Sequence, residues 1–141
     1  MKKLIVEANV ENLYDVRDFV NKELERHNCP PAIQDNINLA VEEIYSNIAN
    51  YAYQPASGSV AVFMTVGESA VIRFEDTGVP YNPLEHPEPD LDKPLMERKV
   101  GGLGIFLVKK VMDKVEYMRV DEKNALVLTK RLDQSTGVGN P

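Results

Sequence analysis

The sequence predicts an α+β domain: a two-layer sandwich in which a mostly antiparallel, mixed sheet of about five strands carries its helices on one face. Three observations predict it. Two pairs of alternating apolar segments, 59–66 with 69–76 and 114–120 with 125–132, are each joined by a short polar link, which is hairpin spacing. Three helical stretches interrupt the strands without alternating strictly with them, so the pattern of parallel crossovers is absent. The length, 141 residues, suits one hydrophobic core.

Residues 2–8 read as a short strand. Asn12 is placed to cap a helix and Asp15 falls in its first turn. Leu13, Val16, Val20 and Leu24 then share one face, flanked by Phe19. That helix ends near Asn28, because Pro30 and Pro31 cannot continue it. A second helix runs from about Ala32 to Tyr53, with a buried stripe of Ile33, Ile37, Ala40 and Val41, Ile44, Ile48 and Ala52. The turn-forming run Gln54-Pro55-Ala56-Ser57-Gly58 stops it. The first hairpin turns at Gly67-Glu68.

Residues 77–100 are rich in proline and charge and have no period. A connection of that length in a small domain is usually functional or mobile. The glycine run Gly101-Gly102-Leu103-Gly104 opens a third helix over roughly 102–113, apolar on nearly every side and so buried on most of its surface. The last hairpin turns over 121–124. Residues 1–132 form the domain, and 133–141 look like a flexible tail. There is no internal repeat.

Lys plus Arg number 16 against 22 Asp plus Glu, a net charge of −6 that argues against nucleic acid or an anionic membrane as the main partner. Cys29 is the single cysteine, so no internal disulfide forms, in keeping with a cytoplasmic setting. The apolar run after Lys2-Lys3 stops too soon for a signal peptide, and no stretch is long enough to span a membrane.

Four places could carry chemistry. Glu43 and Asn47 lie one helical turn apart, about 100° round from the buried stripe. There a carboxylate can take a proton and an amide oxygen can ligate a hard cation such as Mg²⁺. The same pair would also serve as the polar fringe of an amphipathic helix. Asp76 continues a strand face that is otherwise apolar, Ala70, Ile72 and Phe74, so it needs donors. An exocyclic amine on a bound ligand would supply one, and Gly78 would let a flat ring approach; Asp76-Thr77-Gly78 is equally good turn chemistry. Gly101, Gly102 and Gly104 expose backbone N–H groups at the positive end of a helix dipole, a place for phosphate oxygens or simply a tight loop into a core helix. Arg98 and Lys99, late in the proline-rich segment, could reach a triphosphate. His27, His86 and Cys29 have no activating neighbour at a telling spacing.

Three blocks, Glu43-Ile44-Tyr45-Ser46-Asn47, Asp76-Thr77-Gly78-Val79-Pro80 and Gly101-Gly102-Leu103-Gly104-Ile105, resemble in order and interval the three nucleotide-binding boxes of the GHKL fold, the Bergerat or histidine-kinase-like ATPase fold. Within it, residues 1–132, including Met112-Asp113-Lys114-Val115-Glu116-Tyr117, are similar to the stand-alone bacterial anti-sigma factor serine/threonine kinases. The resemblance implies that Glu43 is the general base and Asn47 a Mg²⁺ ligand. It implies that Asp76 accepts from the adenine amine over Gly78, and that Gly101, Gly102, Leu103 and Gly104 line the ATP phosphates. Thr129 would correspond to a threonine near adenine. Two departures are visible: Tyr51 stands where the family often has histidine, and Arg98 or Lys99 is only the nearest match to a lid arginine.

The resemblance further implies an enzyme using ATP and Mg²⁺ to phosphorylate a serine of an anti-anti-sigma protein of the STAS type. That substrate competes with a sigma factor for the kinase, which is a homodimer in the family. The alternative is a nucleotide-responsive binding module that sequesters a partner without catalysis.

Overall fold

The computed structural model describes residues 1–53, 56–85 and 102–133. In chain order the elements are β1 (Lys2–Glu7), α1 (Leu13–Arg26), α2 (Pro31–Tyr51), β2 (Ser59–Val66), β3 (Ser69–Asp76), α3 (Gly102–Val111), β4 (Lys114–Val120) and β5 (Lys123–Arg131). The strands form one sheet in the order β1-β2-β3-β5-β4. Every neighbouring pair is antiparallel, so the sheet is not mixed as expected. The reason is the route of the chain. After β3 and α3 it enters the far edge as β4, and β5 then folds back into the gap beside β3, where a parallel neighbour would otherwise lie.

The expected α+β sandwich is present. Strand alternation puts Val60, Val62 and Met64 of β2, Ala70, Ile72 and Phe74 of β3, and Leu126 and Leu128 of β5 on one buried face. Cross-strand register sets Val62 against Phe74 and Phe74 against Leu126. On that face lie Val16, Val20 and Leu24 of α1, Ile33, Ile37, Ala40, Val41 and Ile44 of α2, and Ile105 and Val108 of α3. These are the stripes that helical spacing selects, and their burial supplies the main force holding the layers together. The other face is partly open and carries an Arg73–Glu75 ion pair.

The ends of the elements differ in detail from expectation. Asn12 precedes α1 but does not cap it; its Nδ2 donates to Glu7 O at 2.9 Å. The capping side chain is Asn9, whose Oδ1 accepts from Asn12 N at 3.0 Å and holds a 3-10 turn over Val10–Asn12. After α1, Asn28 takes φ 56°, a left-handed conformation asparagine tolerates, and Pro31 opens α2 where its missing N–H costs nothing. The second hairpin turns on Asp121 and Glu122 alone, with φ 53° and 63°. Two successive positive φ values match the twist of the flanking strands. The turn is therefore two residues rather than the expected four, and Lys123 and Asn124 become part of β5.

Candidate functional site

Asp76 ends the buried face of β3 and is only 5% exposed. The shortened turn places Asn124 directly across from it in β5. Asn124 Nδ2 donates to Asp76 Oδ1 at 2.9 Å, and Gly78 N donates to the same oxygen at 2.9 Å. A buried carboxylate needs such donors to remain in an apolar setting. Asn124 Nδ2 also donates to Val79 O at 2.8 Å, while Asn124 Oδ1 accepts from Tyr117 Oη and, at 3.3 Å, from Tyr81 N.

These groups border a cavity of about 140 Å³ between α2 and the sheet. Ile44, Ile48, Phe74 and Leu126 give it apolar walls, Tyr51, Tyr81 and Tyr117 add aromatic ones, and Asn47, Asp76 and Asn124 are its polar side chains. A mostly apolar cavity with a few placed polar groups suits a flat heteroaromatic ligand. Burial pushes the Tyr81 phenol up from its ordinary range, with nearby Tyr51 adding to the effect, so the hydroxyl is neutral there.

The glycine motif meets the middle of α2, at Glu43. A Cβ on Gly104 would stand 3.0 Å from Glu43 Cδ and overlap Glu43 Oε1. The carboxylate therefore lies over the first turn of α3, which begins at Gly102. Glu43, Asn47 and Tyr51 follow one another at one-turn intervals, and the eight steps from the first to the last cover about 12 Å of helix. The C-terminal half of α2 thus runs from the cavity to the first turn of α3, and that layout suits a flat ring joined to an anionic tail. Among the described residues no group of three or more His, Cys, Asp or Glu gathers as a metal site. The donor set at hand, one Asn47 amide plus ligand phosphates and water, is the kind Mg²⁺ accepts.

Not every expected site residue falls here. Thr129 pairs with Val71, five positions along β5 from Asn124, and sits on the opposite face of the sheet. At about 3.4 Å per residue it is about 17 Å from Asp76 along the strand, too far to reach the cavity. Packing gives Gly78 a reason to be glycine apart from any ligand. A Cβ there would stand 2.8 Å from Ala52 Cβ and collide with the Ala52 carbonyl, so the residue lets the chain pass the end of α2. Gly102 and Leu103 lie in the first turn of α3, whereas Arg98, Lys99 and Gly101 lie outside the described residues. Reading the sequence missed Asn124, Tyr81 and Tyr117. Counting back by twos from Leu128 and Leu126 lands on Asn124, a signal hidden by the assumed length of the turn.

A profile of the histidine kinase-like ATPase domain matches residues 6–130. The serine-protein kinase RsbW of Bacillus thuringiensis (strain Al Hakam) is 29% identical over 114 residues, covering 76% of this chain and 71% of its own. RsbW of Bacillus anthracis (strain A0248) matches with the same 29% identity and the same coverage. Among solved structures, the RsbU and RsbW domains of Rv1364c from Mycobacterium tuberculosis match with a TM-score of 0.62 at 14% identity, over 94% of this chain and 33% of that one. The chain spans about a third of that solved chain, and the likeness is one of fold. The match over residues 6–130 decides the assignment: this chain belongs to the histidine kinase-like ATPase domain family.

Proposed function

We propose that the protein is an ATP-dependent serine/threonine kinase that acts as an anti-sigma factor, with residues 1–132 as its nucleotide-binding unit. The observation that carries the reading is the pairing of Asp76 in an apolar cavity beside the C-terminal end of α2 with Glu43, about two turns back in the same helix, laid over Gly104. Asp76 accepts a hydrogen bond from the adenine amine, and the cavity walls hold the ring. The N–H groups of the Gly102–Gly104 turn receive phosphate oxygens, a task the resemblance extends to Gly101, Arg98 and Lys99.

Phosphoryl transfer is chiefly positioning and charge neutralisation. Glu43 orients the incoming serine hydroxyl and takes its proton as the new O–P bond forms and ADP leaves. Asn47, one turn further on, would hold Mg²⁺, which would neutralise phosphate charge when bound. The relatives' name, serine-protein kinase, supports a serine as the acceptor. The resemblance of the three sequence blocks to the anti-sigma kinases supports a STAS-type anti-anti-sigma protein as its carrier. Its unmodified form competes with a sigma factor for a homodimer of this chain in the cytoplasm.

The test is incubation with labelled ATP and the STAS protein. Label on a serine of the partner is expected. ATP binding without transfer would contradict catalysis and favour a non-catalytic sequestering module, a reading that Tyr51 in place of the usual histidine keeps in view.

A further inference from the structure

The base-recognition end holds a residue that the three sequence boxes do not contain. Asn124 is 7% exposed, and its side chain uses all four of its ordinary hydrogen-bonding positions. It donates to Asp76 Oδ1 and Val79 O, and it accepts from Tyr117 Oη and Tyr81 N. Turning the amide over would set its oxygen against the carboxylate and its NH₂ against the Tyr81 N–H. The partners therefore fix its orientation.

Resting on the nucleotide reading above, we propose that Asn124 is a positioning residue that selects the base. Its NH₂ and the Gly78 N–H both fall on Oδ1 of Asp76. That oxygen is thereby occupied, and Oδ2 is left to face the ligand as a pure acceptor. A base carrying an amino group at that position supplies the matching donor. A base carrying a carbonyl there sets acceptor against acceptor and leaves a buried carboxylate oxygen unpaired. The same amide holds the backbone on both sides of Pro80, through Val79 O and Tyr81 N, so the wall contributed by Tyr81 is anchored to the residue that aims Asp76.

Asn124→Asp keeps the size and the accepting oxygen and removes both donors. Affinities for Mg-ATP and for Mg-ITP, the 6-oxo analogue, are measured at pH 8 in wild type, N124D, D76N and the double variant. The wild type is expected to prefer ATP by about tenfold or more. N124D loses about tenfold in ATP affinity while ITP changes less than about twofold, and the loss vanishes in the D76N background. Equal weakening of both nucleotides, or no change in either, overturns the role of Asn124. If wild type binds both nucleotides equally, or D76N binds ATP unchanged, Asp76 does not read the base and this inference falls while nucleotide binding stands; if wild type binds neither nucleotide, the nucleotide reading itself falls. Should N124D not fold, a crystal structure of the wild type with ADP decides: the base amine on Asp76 Oδ2, with Asn124 still on Oδ1, supports the proposal, and the amine on Asn124 or on Oδ1 overturns it.

Discussion

Glu43 lies so close over Gly104 that the glycine has no room for a side chain: a Cβ there would overlap the carboxylate oxygen Oε1. Gly104→Ala must therefore push Glu43 aside or shift α3 against α2. Overpacking of this kind costs about 1–3 kcal/mol. The variant is expected to melt lower than wild type in a calorimetric scan and to transfer phosphate more slowly, with both changes traced to the same contact.

Removing the carboxylate itself separates chemistry from binding. Glu43→Ala vacates space beside Gly104 without touching the cavity around Asp76. Phosphotransfer is expected to fall about 10²–10⁴-fold, the usual worth of a general base. ATP affinity, read by titration calorimetry, stays within about threefold. Transfer at the wild-type rate would remove Glu43 from the role of base.

Gly78→Ala probes the junction between β3 and the end of α2. The added methyl would meet Ala52, whose carbonyl already accepts from Val79 N at 3.2 Å. Relieving the clash moves the backbone whose N–H steadies Asp76. A loss of about 1–3 kcal/mol in denaturant unfolding is expected. Weaker ATP binding accompanies it, because the carboxylate loses one of its two donors.

Tyr45 supplies a pH dependence. Its ring is fully buried, and its hydroxyl donates to Asn9 O at 2.6 Å and Glu7 O at 3.1 Å, tying α2 to the end of β1. Burial pushes this phenol up from its ordinary value of 10.0, and nearby carboxylates of Glu11, Asp15 and Glu7 add to the shift. The native state then holds its proton longer than the unfolded chain does. This contribution to stability is complete below about pH 10 and is lost as pH rises from there through the raised native value. Thermal melts from pH 8 to 11 are expected to fall more steeply for wild type than for Tyr45→Phe, which should also lose about 1 kcal/mol at neutral pH.

Much of this fold is legible in the sequence because its signals are periodic. Ile33, Ile37, Ile44 and Ile48 recur at helical spacing, and Ala70, Ile72, Phe74 and Asp76 at strand spacing, so α2, β3 and the buried acid can be read directly. The parts not legible depend on a single local geometry. Asp121 and Glu122 do not advertise two successive positive φ values as Asn-Gly would, so the turn was expected to be longer and Asn124 to lie in it. The family resemblance places Thr129 near the base, yet its position in the strand turns it to the opposite face. Asn9 and Asn12 are equally good capping residues by type, and only the 3-10 turn between them decides which one caps.

The measurement that most directly tests the nucleotide site is the melting temperature with and without Mg-ATP. At about 100 times the dissociation constant a ligand bound only by the folded state adds about 2.7 kcal/mol, a rise on the order of 10 °C for a domain of this size. The account predicts that rise for wild type and its loss in Asp76→Asn. An unchanged wild-type melting temperature at millimolar Mg-ATP would contradict it.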